Sequence, residues 1–309
     1  MGRSKRETTG PCDAGNGEIA MSDYRLQVGN VEVTAVSDGE LFLGKSFYPD
    51  VPESAWDEYP EQLDGEGRVL MNLGSFVIRS GGKAILVDTG LGPVSHGMTA
   101  NTGSLPRDMT ERGVPPDEID AVVLTHLHWD HVGWNIVGEG PDRRLGFPNA
   151  RYLVSKVDWD TQLALTTQVP EGSAEERATF ERRLSAFVEQ VEPLEGLNRV
   201  DLLEDEHQIT PEVTTMPSPG HTPGHMCVAI SSQGERAMVL GDCIHMPLEV
   251  HKTDWVCRGD RDPALVIKTR RALLDAAERD GTMLLGGHFP APGFGKLARS
   301  AGRRYWVVV

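Results

Sequence analysis

No uninterrupted apolar run in this 309-residue chain approaches the roughly 20 residues that a bilayer-spanning helix requires, so no membrane span is expected. The first 20 residues, MGRSKRETTGPCDAGNGEIA, lack the apolar stretch of a secretory signal. They read as a flexible N-terminal tail (1–20) ahead of a single domain over 21–309. Gly2 makes no myristoylation site, because Arg6 stands where that motif has Ser or Thr. Cysteine is scarce. Cys12, Cys227, Cys243 and Cys257 form no CxxC pair and no zinc-finger spacing, which fits a reducing, cytoplasmic location. Positive charge is also short: 30 Lys and Arg against 46 Asp and Glu leave a net charge of −16, with no basic patch. A field of that sign repels phosphate backbones, so nucleic acid is not an expected partner. The chain has no internal repeat, no low-complexity linker, and no G-x-S-x-G elbow to carry a serine nucleophile.

What is present begins with short apolar runs. SFVIRS and KAILVD flank Gly81-Gly82, which tolerate positive φ, so residues 75–88 predict a β-hairpin. AVVLTH, AMVLGD and TMLLGGH are also strand-like, too short for buried helices and bounded by turn residues. Four of these runs end in a metal-capable or acidic residue: Asp88, His126, Asp242 and His288. Strand ends feeding loops are where a rigid sheet positions chemistry. Two helices are signalled. SAEERATFERRLSAFVEQVEPL begins with Ser173 and Glu176 in capping-box spacing, and Phe180, Leu184, Phe187, Val188 and Val191 are expected on one face. DPALVIKTRRALLDAAERDG offers Asp262 as N-cap, Pro263 at the first helical position and Gly281 just past the end. Strands interleaved with helices predict one α/β domain. Segment 40–70 mixes aromatics, proline and acids without clean periodicity, as a long binding loop or a subunit contact would. With the N-terminal region, it is the candidate homodimer contact.

The densest feature is LTHLHWDHVGWN, residues 124–135, where three of the ten histidines and one aspartate fall between His126 and His131. In an extended segment, side chains two apart point the same way, so His126 and His128 can reach one ion together. A turn at Trp129-Asp130 then lets Asp130 and His131 face a second position. Neutral imidazoles and a carboxylate suit zinc or similar divalent ions, and no packing argument asks for four such side chains together.

THLHWDH resembles the signature of the metallo-β-lactamase-fold hydrolases, and the family's other motifs follow in order as VDTG (Asp88), PGHTPGH (His221), LGD (Asp242) and GGHFP (His288). The resemblance runs from about residue 30 to about residue 300 and implies an αββα sandwich with a dinuclear metal site at one edge. It implies that His126, His128 and His221 bind one ion and Asp130, His131 and His288 the other. Asp242 would bridge the two, with room left for a bridging hydroxide. Asp88 would orient a ligand or merely close a turn. His225 is expected to support its loop by hydrogen bonding. His245 and His251 could line the pocket or sit on solvated loops, and Trp134 could wall the cleft or pack in the core. Cys243 reads as a small buried residue.

Two divalent ions, zinc by preference, would lower the pKa of a shared water and polarise a substrate oxygen, with Asp130 relaying the proton. The stretch from GDCIHMPLEV to GGHFPAPGFGKLAR resembles the branch containing N-acyl-homoserine lactonases and methyl-parathion hydrolase. Carboxylic ester or lactone hydrolysis of a small-molecule substrate is therefore expected. Phosphotriester hydrolysis is the alternative, and a mono-iron dioxygenase of the same fold is the non-hydrolase rival. Leu41, Phe42, Phe47, Trp134 and Met246 are the candidate apolar wall. Tyr48, Tyr59 and Tyr152 are the candidates for a tyrosine facing the substrate carbonyl.

Overall fold

The computed structural model describes residues 24–93, 100–169 and 172–309; the expected tail, with Cys12, lies outside them. The first sheet contains β1 (Arg25–Val28), β2 (Val31–Leu43), β3 (Val69–Ser80) and β4 (Lys83–Val87), each antiparallel to its predecessor. The short β5 (Ala100–Asn101) pairs with β2. β6 (Ala121–Leu124) then lies parallel to β4. The two-residue strands β7 (Ile136–Val137) and β8 (Arg144–Leu145) form a separate ribbon, after which β9 (Arg151–Ser155) and β10 (Val200–Leu203) extend the sheet in parallel. The second sheet follows in chain order: β11 (His207–Thr210), β12 (Val213–Pro217), β13 (Met226–Ser232), β14 (Glu235–Val239), β15 (Met283–Leu285), β16 (Phe294–Ser300) and β17 (Arg303–Val308). Its single parallel pair is β14 with β15.

Period-two alternation decides the layers. Phe76, Ile78, Ile85, Val87 and Val123 of the first sheet meet Val213, Val228, Ile230, Val239 and Leu285 of the second in one buried cluster. Val77, Leu86, Val122 and Leu124 point the other way, under α1 (Leu105–Glu111), α2 (Lys156–Leu165) and the end of α3 (Ala174–Ala186). The turn after α3 leads into the short α4 (Glu192–Gly196). Cys227, Leu240 and Leu284 sit beneath Leu274 and Ala277 of α5 (Pro263–Asp280). The result is an αββα sandwich. No helix among the described residues is long and apolar enough to cross a membrane.

The predicted hairpin forms, with Gly81 at φ +58 and Gly82 at φ +78 joining β3 to β4. The capping box is complete: the Ser173 N–H donates to Glu176 Oε2 (2.7 Å) and the Glu176 N–H to Ser173 Oγ (3.3 Å). Asp262 Oδ1 accepts from the Leu265 N–H, and Gly281 closes α5 at φ +65. The continuous apolar face expected over Phe180–Val191 does not hold. A π-turn over Phe187–Val191 shifts the phase, burying Phe187 and Val191 while Val188 is left 40% exposed.

Segment 40–70 is also more ordered than its sequence suggested. β2 runs into it, three 3-10 turns follow, and Tyr48 and Trp56 pack on Trp255 in a buried aromatic cluster. Aromatic packing and 3-10 turns carry no period-3.6 or period-2 signal, so periodicity could not reveal this segment.

Parallel pairing is what brings the chemistry together. β4 and β6 end at Val87 and Leu124 on the same edge of the first sheet, and β14 and β15 end at Val239 and Leu285 in the second. Residues just past these four ends are Asp88, His126, Asp242 and His288. The turn after His131 is tight: the Gly133 N–H donates to the Gly90 carbonyl at 2.8 Å, and a Cβ on Gly133 would lie 2.0 Å from the Leu91 carbonyl carbon. Gly133→Ala should therefore cost roughly 2–4 kcal/mol. Thermal unfolding should show Tm lowered by roughly 5–15 °C, since about 1 kcal/mol moves Tm by 2–4 °C in a chain of this size class. Gly196→Ala, in α4 with open space around its Cα, is the control and should leave Tm unchanged or raised.

Candidate metal centre

Two groups of ligand atoms lie side by side past these strand ends. His126, His128, His221 and Asp242 converge in one, and Asp130, His131 and His288 in the other. Asp242 joins them. Its Oδ2 lies 3.4 Å from His221 Nε2 and 3.7 Å from His126 Nε2, while its Oδ1 lies 3.2 Å from both His131 Nε2 and His288 Nε2. One carboxylate thus turns an oxygen toward each group, as the bridge assignment requires. Asp130 Oδ2 stands 3.8 Å from His131 Nε2 and 3.7 Å from His288 Nε2.

The far nitrogens of these rings are anchored. His131 Nδ1 pairs with Asp88 Oδ2 at 2.9 Å, and Asp88 also accepts from the Thr125 backbone N–H and hydroxyl, both at 2.8 Å. Asp88 therefore orients His131 and shapes the turn at once, at φ +62. His221 Nδ1 pairs with Asp260 Oδ1 at 2.8 Å, and His288 Nδ1 donates to the Asn72 carbonyl at 2.9 Å. Such partners fix tautomer and ring orientation so that the other nitrogen faces an ion. His225 does what was expected of it: Nδ1 meets Ser218 Oγ at 2.8 Å, and Nε2 accepts from the Asp242 N–H at 3.0 Å.

These residues fit divalent ions on chemical grounds. His126 Nε2, His131 Nε2 and Asp242 Oδ1 are buried and have no hydrogen-bond partner, a state that native proteins rarely tolerate without a further group. Burial, with neighbouring histidines, holds His126 well below the usual imidazole range, and burial with the Arg183 charge does the same for His128. Burial works against the charge of His131 as well, but Asp242, Asp88 and Asp130 outweigh it and raise that ring. Asp242 stays ionised despite burial because His131 and His288 face it. The carboxylates of Asp88, Asp130 and Asp242 make the pocket one that draws in positive charge.

A cavity of about 250 Å³ opens onto both groups. Leu41, Leu43, Phe47 and Met71 line it on the apolar side, and Arg182, Arg183, Arg258 and His245 on the polar side. Several expectations fail here. Trp134 does not wall the cleft; it packs against the outer-face core and donates Nε1–H to Asp38 Oδ1 at 2.9 Å. Met246 is buried in the aromatic cluster, and Phe42 lies under the Arg68 guanidinium. None of the three candidate tyrosines lines the cavity: Tyr48 donates to buried Glu249, Tyr152 to the Asn135 carbonyl, and Tyr59 packs on Trp255. His251 stacks on Tyr305 instead. His245 does line the pocket, with Nε2 3.3 Å from Asp242 Oδ2. Cys243 is buried, as expected. Asp260, Arg183 and the buried Glu249–Arg270 pair were missed by sequence reasoning, since nothing local marks an aspartate or arginine that meets a histidine from a distant segment.

Residues 75–137, which hold Asp88 and the histidine cluster, match the family described as the Metallo-beta-lactamase superfamily. Over that stretch the chain is similar to the superfamily. An N-acyl homoserine lactonase of Bacillus thuringiensis is 24% identical over 221 residues, spanning 66% of this chain and 76% of its own. Among solved structures, the hydrolase AbOPH in the beta lactamase superfamily has a TM-score of 0.78 at 25% identity, covering 93% of this chain and 97% of its own. AidC, a dizinc quorum-quenching lactonase seen in complex with a product, also has a TM-score of 0.78, at 21% identity, covering 92% of this chain and 96% of its own. If the imidazoles hold ions, the carboxylates behind them should matter nearly as much as the imidazoles themselves. Asp260→Asn and Asp88→Asn should each weaken metal affinity by roughly 10–100-fold. Competition with a chromophoric chelator measures this, and affinity unchanged in both variants would refute the orienting role.

Proposed function

We propose that this superfamily hydrolase cleaves a carboxylic ester or lactone at a site for two divalent ions, zinc by preference. The observation that carries the reading is Asp242, with one oxygen toward each of two three-donor groups. Imidazole nitrogens and carboxylate oxygens are the donors zinc favours. His126, His128 and His221 would hold one ion, Asp130, His131 and His288 the other, and Asp242 both. Bound there, the ions would supply a water of lowered pKa as the nucleophile and a Lewis acid for the carbonyl oxygen.

The chain's own residues supply the rest. Leu41, Leu43, Phe47 and Met71 take the apolar part of the substrate and keep water from it, at about 0.8 kcal/mol per buried CH₂. Asp130 lines the cavity, and its carboxylate accepts the proton released as the nucleophile forms. His245 lines the cavity with Nε2 3.3 Å from Asp242 Oδ2, a position from which it would donate to a substrate oxygen. Support for the ester class also comes from the lactonase relatives and from AidC with its product. A single-iron reading would leave the Asp130–His131–His288 group without a purpose, and its three donors favour two ions.

Fully loaded protein should hold two divalent ions per chain by elemental analysis, and chelator should abolish activity that zinc then restores. A panel of lactones, aryl esters and phosphotriesters tests the substrate class, with Asp242→Asn expected to lower kcat/KM by at least about 100-fold. Rapid turnover of a paraoxon-type phosphotriester with no lactone or ester cleavage would move the assignment to phosphotriester hydrolysis. A single iron per active chain would remove the dinuclear reading altogether.

A further inference from the structure

In a chain of net charge −16, the cavity over the metal centre is lined by three arginines: Arg182, Arg183 and Arg258. Arg258 is tied to the wall, donating Nε–H to the Ser46 carbonyl at 2.7 Å. Arg182 and Arg183 belong to α3, and among the described residues neither forms a salt bridge with a carboxylate. Arg182 donates to Thr179 Oγ1, while its Nε is buried with no hydrogen-bond partner. Arg183 Nη2 meets only a ring nitrogen, His128 Nε2, at 2.9 Å. His128 Nδ1 faces His221 Nε2 within the ligand group. With an ion held by that group, His128 Nε2 would carry the ring proton and offer Arg183 nothing to accept its N–H. The guanidinium then needs another acceptor, one imidazole ring away from the reacting centre. A guanidinium is cationic at neutral pH.

From this we infer that the pocket selects an ester or lactone bearing one carboxylate, received by Arg182 and Arg183. Buried Asp158 attracts Arg183 from beyond contact distance, but a half-buried guanidinium with no carboxylate in contact remains costly, and a planar carboxylate is the acceptor that matches its fork. The acidic exterior does not oppose this, because a cleft lined by one sign of charge focuses its own field. Asp130 and Asp242 are the acids in the cavity wall, and both are committed to the metal groups. The apolar patch of Leu41, Leu43, Phe47 and Met71 takes the rest of a small acyl skeleton.

The inference rests on the ester and lactone reading above, so its test separates the two. Zinc-loaded protein is assayed by proton release on 5-oxotetrahydrofuran-2-carboxylate and on γ-valerolactone, which carries a methyl where the first carries the carboxylate. The corresponding 3-carboxylate and 3-methyl lactones form a second pair, so that the position of the anion does not decide the result. In parallel, calorimetry compares binding of 2-hydroxyglutarate and 4-hydroxypentanoate, the ring-opened products of the first pair. We expect kcat/KM to favour at least one carboxylate lactone by roughly tenfold or more, and the dicarboxylate to bind tighter by a similar factor. Arg183→Met and Arg182→Met should erase both preferences, and Arg183→Lys should restore part of them. Preference ratios near one in the wild type, or ratios unchanged in the methionine variants, would overturn the inference while leaving the hydrolase reading intact. Opening of none of the four lactones would count against the lactone reading. The binding ratio and its loss in the variants would then still decide for or against the arginine site.

Discussion

Everything in this molecule's active region depends on one carboxylate. Asp242 turns one oxygen toward each of two clusters of imidazoles. Holding it there takes a chain of constraints. Its backbone N–H is fixed by His225, which is fixed by Ser218 at the start of the PGHTPGH loop. That loop is pinned from the other sheet, where buried Asp158 of α2 accepts from Thr222 Oγ1 at 2.6 Å and from the Gly224 N–H at 2.7 Å. The site is thus a joint between the two halves of the sandwich, and neither sheet could build it alone.

The stretch after Asp242 shows how a loop can be made as rigid as a strand. Glu249 and Arg270 are both fully buried and lie 3.3 Å apart. Arg270 also donates to the carbonyls of Cys243 and Trp255, and Glu249 accepts from Tyr48 O–H and from the His245 N–H. Such a buried pair adds little net stability over an apolar replacement, but losing one partner leaves an uncompensated charge. What it provides is position. It ties α5, the aromatic cap of segment 45–59 and the His245 loop into one body beside the metal groups. His245 and the cavity wall then face the substrate from a fixed frame, which site geometry requires.

The layered fold and the clustering of histidines with aspartates were legible in the sequence because both rest on short-range signals. Apolar strands, glycine turns, the capping box and His-x-His-x-Asp-His are each read within a dozen residues. Legibility ended where partners come from far along the chain. Asp260 reaches His221 across 39 positions and Arg183 reaches His128 across 55, and neither carries a local mark of its role. The apolar-wall expectation failed for Trp134 and Met246 for the same reason: hydrophobicity says that a side chain will be buried but not on which side of a sheet. The π-turn at 187–191 adds a second kind of blind spot, since it breaks the helical phase from which a face is read.

The ligand groups also bear on stability. His126 Nε2, His131 Nε2 and Asp242 Oδ1 are buried at the meeting of the two sheets without a hydrogen-bond partner. In the folded chain they therefore cost desolvation energy that the unfolded chain, hydrated at every one of these atoms, does not bear. An ion that coordinates them removes that cost only in the folded state, so its binding free energy adds to folding stability. Ion binding at this geometry would thereby couple the integrity of the sandwich to the ions. The shared Asp242 makes this coupling common to both ligand groups, because displacing that one carboxylate disturbs both.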